Sequence, residues 1–210
     1  MEELNKEFDR QINNLISKGY PKLAGLNQNQ FINKFEQLKD KLGQLQNTEY
    51  DLEKGLIPFV IVVTNSLIDV KERLDKIEYK GKSPILNLFP VDIEKFIPSD
   101  KVSIPGEIYL LTNINRGEQY LNIRPQDALI EILKNENTPL TIDEGIAVMT
   151  HFPEILEKNK CFSLLASRSG DQRVPAFWIS ANQAKLGWCW DGNPHTWLGS
   201  IFARNRISIS

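Results

Sequence analysis

The sequence predicts an α+β or α/β fold, a mixed β-sheet with flanking helices and an N-terminal helical hairpin. Three observations predict it. The first 46 residues carry two apolar stripes at helical spacing. From residue 57 the pattern changes to continuous β-branched and aromatic runs. A tryptophan-rich strand pair follows near the C-terminus.

The elements follow in order. Leu4, Phe8, Ile12, Leu15 and Ile16 fall on one helical face, and "GYP" at 19–21 ends that helix. Phe31, Phe35, Leu38, Leu42 and Leu45 form the stripe of a second helix, antiparallel to the first. Residues 43–55 are polar and read as a connector. "IPFVIVV" (57–63) reads as a strand buried on both faces. Leu67, Val70, Leu74 and Ile77 continue as a helical stripe. "PILNLF" (84–89) and "EIYLLTNI" (107–114) read as further strands, giving a strand–helix–strand rhythm. "RPQDALIEILKN" is helical, with Pro125 in the first turn. "TIDE" (141–144) is a capping box that opens the next helix, and Pro153 ends it. "VPAFWIS" (174–180) and "LGWCW" (186–190) pair as strands. The expected organisation is a helical hairpin at 1–46 packed on an α/β domain at 56–210, in one globular unit.

Composition excludes several functions. The formal net charge is −2, and no five like charges run together. A dedicated nucleic-acid binder shows a basic stripe, so no nucleic-acid partner is expected. The longest apolar run, "LIPFVIVV", is far short of the ~20 residues a membrane span needs. The N-terminus has no apolar segment of the kind a secretory signal requires. Two cysteines give no disulfide framework. A soluble protein of the cytoplasm is the expectation.

Chemistry concentrates near the end. All four tryptophans, both histidines and both cysteines lie between 151 and 197. In "LGWCW", period two puts Leu186, Trp188 and Trp190 on one face, a core wall first and a binding platform second. "DGNPHTWLGS" is a turn-rich loop carrying His195 and Trp197. "SRSGDQR" (167–173) offers two guanidiniums that bind planar anions, or pair with Asp171. Arg168, Asp171, Arg173, Trp188, Trp190, His195 and Trp197 are therefore the candidate ligand-binding residues. His151 falls at a helix C-terminus, where the dipole favours its charged form, and a packing or capping role is the expected reading.

His151, Cys161, Cys189 and His195 are zinc-ligand types, but their spacing is not that of a zinc site, so no metal is expected. No cofactor motif occurs. Lys158 and Lys160 flank Cys161 and would lower its pKa, although "FSLLA" after it reads as buried. No residue is assigned as catalytic.

Four blocks, "EFDRQINNLISKGYPKLAGL", "TPLTIDEGIAVMTHFPEIL", "CFSLLASRSGDQRVPAFWIS" and "KLGWCWDGNPHTWLGS", together resemble an uncharacterised bacterial family of unknown function. That family is common in actinobacteria and other Gram-positive soil bacteria. The resemblance covers nearly the whole chain and is densest from 138 to 200. It implies a bacterial cytoplasmic protein and supplies no activity, substrate or catalytic residue.

Three functions fit these features. The first is a binding module for a small anionic or aromatic-stacking ligand, which requires the 167–173 and 191–197 loops on one side of the sheet. The second is a hydrolase or transferase pairing His195 with Ser200, Cys189 or Asp171. The third is a protein-interaction module that presents Phe31, Phe35 and Leu38. The oligomeric state is left open.

Overall fold

The computed structural model describes residues 1–45 and 48–209. Of the connector expected over 43–55, residues 46 and 47 lie outside the described residues. The helices are α1 (Glu2–Ser17), α2 (Tyr20–Leu23), α3 (Gln28–Asp40), α4 (Val70–Leu74), α5 (Pro125–Lys134) and α6 (Ile142–His151). The strands are β1 (Leu56–Val63), β2 (Ile85–Leu86), β3 (Ile97–Pro98), β4 (Ile108–Asn115), β5 (Thr138–Pro139), β6 (Cys161–Ser163), β7 (Ser167–Arg168), β8 (Arg173–Ser180), β9 (Gln183–Trp190), β10 (Leu198–Ser200), β11 (Phe202–Ala203) and β12 (Asn205–Ile207).

The architecture is α+β. The first sheet runs β1-β4-β11-β5, with β12 also on β4, and every pairing in it is antiparallel. The second runs β10-β6-β8-β9-β2 and is mixed, with parallel pairs at both ends. A short β3–β7 ladder stands apart.

The unbroken apolar run of β1 is explained by burial on both faces. Phe59, Ile61 and Val63, with Ile108 and Leu110 of β4, meet Phe8, Phe31, Phe35 and Leu38 of the N-terminal helices. Val60 and Val62, with Tyr109 and Leu111, face the larger core shared with α6 and the second sheet. The stripe Phe31–Phe35–Leu38 is thus spent on packing and is not a free face. β1 is also an edge strand, and the buried Gln11 side chain closes part of that edge. Its amide donates to Phe59 O at 3.0 Å and accepts from Ile61 N at 2.7 Å, as a neighbouring strand would.

Local signals work as expected at several ends. Gly19 takes a left-handed φ of 80° after α1. Thr141 and Glu144 form the reciprocal capping box of α6. Pro125 opens α5. Two expectations need correction. The strand–helix–strand rhythm after residue 57 is not a parallel crossover: β1 and β4 are antiparallel neighbours. The stripe from Leu67 to Ile77 yields only the short α4, and "PILNLF" only the two-residue β2. Apolar periodicity reports burial, and these segments are buried as irregular chain rather than as long elements.

Candidate functional site

The β8–β9 hairpin organises the C-terminal residues. Ala181 and Asn182 make its two-residue turn with φ of 50° and 57°, the backbone twist that matches right-handed strands. The register runs from Ser180↔Gln183 to Arg173↔Trp190. Alternation then sorts the aromatics. Trp188 and Trp190 sit opposite Pro175 and Arg173 on one face, and Trp178 sits opposite Lys185 on the other.

On the first face Trp188 and Trp190 meet edge to face at 5.0 Å between ring centroids. The Arg173 guanidinium lies 4.8 Å from one ring centre and 5.1 Å from the other, and it is ion-paired with Asp171. Trp188 donates its indole N–H to Phe89 O at 2.9 Å. These rings are not the core wall expected of them: Trp188 is half-buried and Trp190 is 40% exposed. The wall on that face is made by Leu186 and Phe177, deeper in the hairpin.

The 167–173 and 191–197 segments do touch, at one point. Arg168 pairs with Asp191 at 3.3 Å, and Asp191 N donates to Gln172 O at 2.8 Å. The second loop then runs on under the start of α5, where Gln126 N donates to Asp191 O and Asn122 N to His195 O. It delivers Trp197 to the other face, edge to face with Trp178 at 6.2 Å, with the His195 ring 5.1 Å behind it. The seven candidate residues therefore divide. Arg173, Trp188 and Trp190 form a shelf with Asp171, Arg168 faces Asp191, and His195 and Trp197 join Trp178 across the sheet.

The Trp178–Trp197 pair lines a cleft of about 1010 Å³. Three tight turns border it, at Tyr79–Lys82, Glu157–Lys160 and Ser180–Gln183. Each turn holds at least one non-glycine residue in the left-handed region: Lys80, Asn159, Ala181 and Asn182. The Lys185 ammonium lies 5.3 Å from the Trp178 ring centre. Trp178 closes over Gly187 on the neighbouring strand, where any Cβ would collide with its ring. Gly187→Ala is expected to lose about 1–3 kcal/mol in urea denaturation and to alter the near-ultraviolet circular dichroism as Trp178 is pushed off Trp197. A variant with wild-type stability and spectrum would show that the ring is not seated there.

A family of unknown function, DUF5701, matches residues 14–209. The chain belongs to this family. Comparison with curated proteins and with solved structures gave no match. The DUF5701 membership brings no reaction with it, so the chemistry of the site must be read from its groups.

Among the described residues of this DUF5701 protein, the nucleophiles that the sequence offered His195 are not paired with it. Burial, reinforced by the Asp191 charge, pushes the Cys189 thiol up to about 12. Burial also raises Cys161, against the lowering expected from its flanking lysines. The Ser200 hydroxyl is buried against Ser163 Oγ at 2.9 Å. Among the described residues the His195 ring makes no hydrogen bond to Ser200, Cys189 or Asp171, and no three His, Cys, Asp or Glu side chains gather where they could hold a metal ion. No helix among them is long and apolar enough to cross a membrane.

His151 is packed in the interior, and the charged form that the helix dipole favours is not the one it holds. It is wholly buried, and desolvation, with the Arg10 charge second, lowers its pKa to about 3, so the ring is neutral. Its Nδ1 meets the Asn14 amide at 3.2 Å. Sequence reasoning also left out Trp178, Lys80 and Lys158. Gly187 in mid-strand was the available signal for Trp178, because such glycines mark close approach of a bulky neighbour. No local signal marks the two lysines, which reach the cleft through turns 78 residues apart in the chain.

Proposed function

We propose that the protein is a small-ligand binding module whose site is the cleft beside Trp178 and Trp197, in a bacterial cytoplasmic setting as the sequence resemblance implies. The observation that carries this reading is a cleft of ligand size walled by two half-buried tryptophans. Ligand sites combine apolar, aromatic walls with a few convergent polar groups, and this cleft has both. Trp178 and Trp197 both keep part of their surface open toward this cleft. The shelf of Arg173, Trp188 and Trp190 is a weaker place for a ligand. Its guanidinium is already committed to Asp171 and to both rings. Among the described residues His195 bonds none of Ser200, Cys189 and Asp171, and the N-terminal apolar stripe is covered.

A thermal-shift screen against a metabolite library tests the reading. A ligand at a hundred times its dissociation constant is expected to add about 2.7 kcal/mol of stability. Trp197→Phe and Trp178→Phe should each weaken that stabilisation, and Trp190→Phe should not. Stabilisation by no compound, or stabilisation abolished only by Trp190→Phe, would remove the cleft as the site.

A further inference from the structure

We infer that the cleft selects an organic anion, a carboxylate or phosphate carried on a flat apolar body. The inference rests on the ligand-binding reading above and adds the chemical class.

It starts from the charges around the cleft. Lys80 and Lys158 stand on its rim, and Lys185 lies over Trp178. None of the three forms an ion pair among the described residues; Lys80 and Lys185 meet only aromatic rings. Of the two carboxylates on the rim, one is already paired. Glu157 is held by the buried Arg116 at 2.8 Å and by Lys160 at 3.7 Å. Glu154 is exposed and unpaired among the described residues, one carboxylate against the rim ammoniums. A chain of net charge −2 thus keeps two unpaired lysines on the rim of this cleft and a third over its Trp178 wall. Concave, low-dielectric walls focus such a field and draw anions in.

Hydrogen-bonding capacity points the same way. The indole N–H of Trp188 has a protein acceptor, but those of Trp178 and Trp197 have none among the described residues. An indole N–H and an ammonium can only donate. The ligand must therefore present acceptors, and an oxyanion satisfies several donors at once, with stronger bonds than a neutral acceptor gives. The tryptophan edges and Ile179 supply the apolar wall for the body that carries it.

The test uses four probes of similar size: benzoate, phenyl phosphate, benzamide and benzylamine. Binding is read from the indole ¹H–¹⁵N signals of the full-length protein. Benzoate or phenyl phosphate is expected to move the Trp178 and Trp197 signals and leave Trp188 and Trp190 in place. Benzamide and benzylamine should bind at least tenfold more weakly. Lys80→Gln with Lys158→Gln changes only exposed side chains and should weaken the anions about tenfold while leaving benzamide unchanged. The better of the two anions identifies carboxylate or phosphate as the preferred group. If benzamide or benzylamine shifts the same signals as strongly, the anion inference fails and the cleft still binds ligands. If neither anion shifts them, the inference fails again, and a library screen without hits would remove the binding reading as well. Movement confined to Trp188 and Trp190 would place binding on the opposite face and overturn both.

Discussion

Glu144→Ala is expected to destabilise the protein by about 3–5 kcal/mol, measured by urea denaturation with linear extrapolation. One fully buried carboxylate serves four donors. Arg206 gives it Nε at 2.6 Å and Nη2 at 2.9 Å, Tyr109 its hydroxyl at 2.8 Å, and Thr141 its backbone N–H at 2.7 Å. Burial works against the Arg206 charge, but the facing carboxylate outweighs it and its pKa is raised. Removing Glu144 strands that guanidinium in the interior, opens the α6 cap and leaves the Tyr109 hydroxyl without an acceptor. The loss belongs to the unpaired charge rather than to the value of the pair, because apolar replacement of a buried ion pair is often neutral. Glu144→Leu combined with Arg206→Met should therefore recover much of the stability. A single Glu144→Ala loss below about 1 kcal/mol would mean that the network is open to water.

The second large effect is acid sensitivity through His151. The folded ring stays neutral down to about pH 3, whereas its ordinary value is 6.5. Between those values the unfolded chain binds the extra proton. The stabilising contribution is complete above pH 6.5 and is lost as pH falls, at roughly 1.4 kcal/mol per unit. The Arg10 and Lys18 charges add to the desolvation that keeps the proton off. Comparing the protein with His151→Gln at pH 7.5 and 4.5 should show the wild type losing roughly 2–3 kcal/mol more than the variant over that interval. Equal acid slopes in the two would assign the sensitivity to other groups.

Both effects come from groups that the sequence could name but not value. Glu144 was legible as the last residue of a capping box, and Thr141 and Glu144 do form it. Its second role depends on Arg206, 62 residues away, reaching it from β12. His151 was legible as a residue at a helix C-terminus, and the dipole there favours a cation. Burial decided the opposite, since desolvating an imidazolium outweighs a partial charge at the end of one helix. The same holds for Cys161. Lys158 stands on the cleft rim, Lys160 turns to Glu157, and burial raises the thiol.

The candidate site was half legible. Trp197 and the hairpin that frames it follow from composition and turn residues. The division of the seven residues between two faces does not, because a strand's register decides which side chains share a face. Trp188 and Trp190 were placed together correctly by period two, yet their depth depended on which end of the hairpin the core covers. Leu186, two residues earlier on the same face, is buried, and Trp190 is open.

By itself the sequence determined the elements that depend on neighbours in the chain: the N-terminal helices, the α6 capping box, the β8–β9 hairpin and the doubly buried β1. These arise from periodicity, capping and turn chemistry, which act over a few residues. Only the tertiary structure decided that β1 and β4 run antiparallel, that Trp178 meets Trp197, and that lysines from separate turns border one cleft. Those facts rest on contacts between distant segments, whose pairing is chosen by the burial of the whole chain rather than by any local pattern.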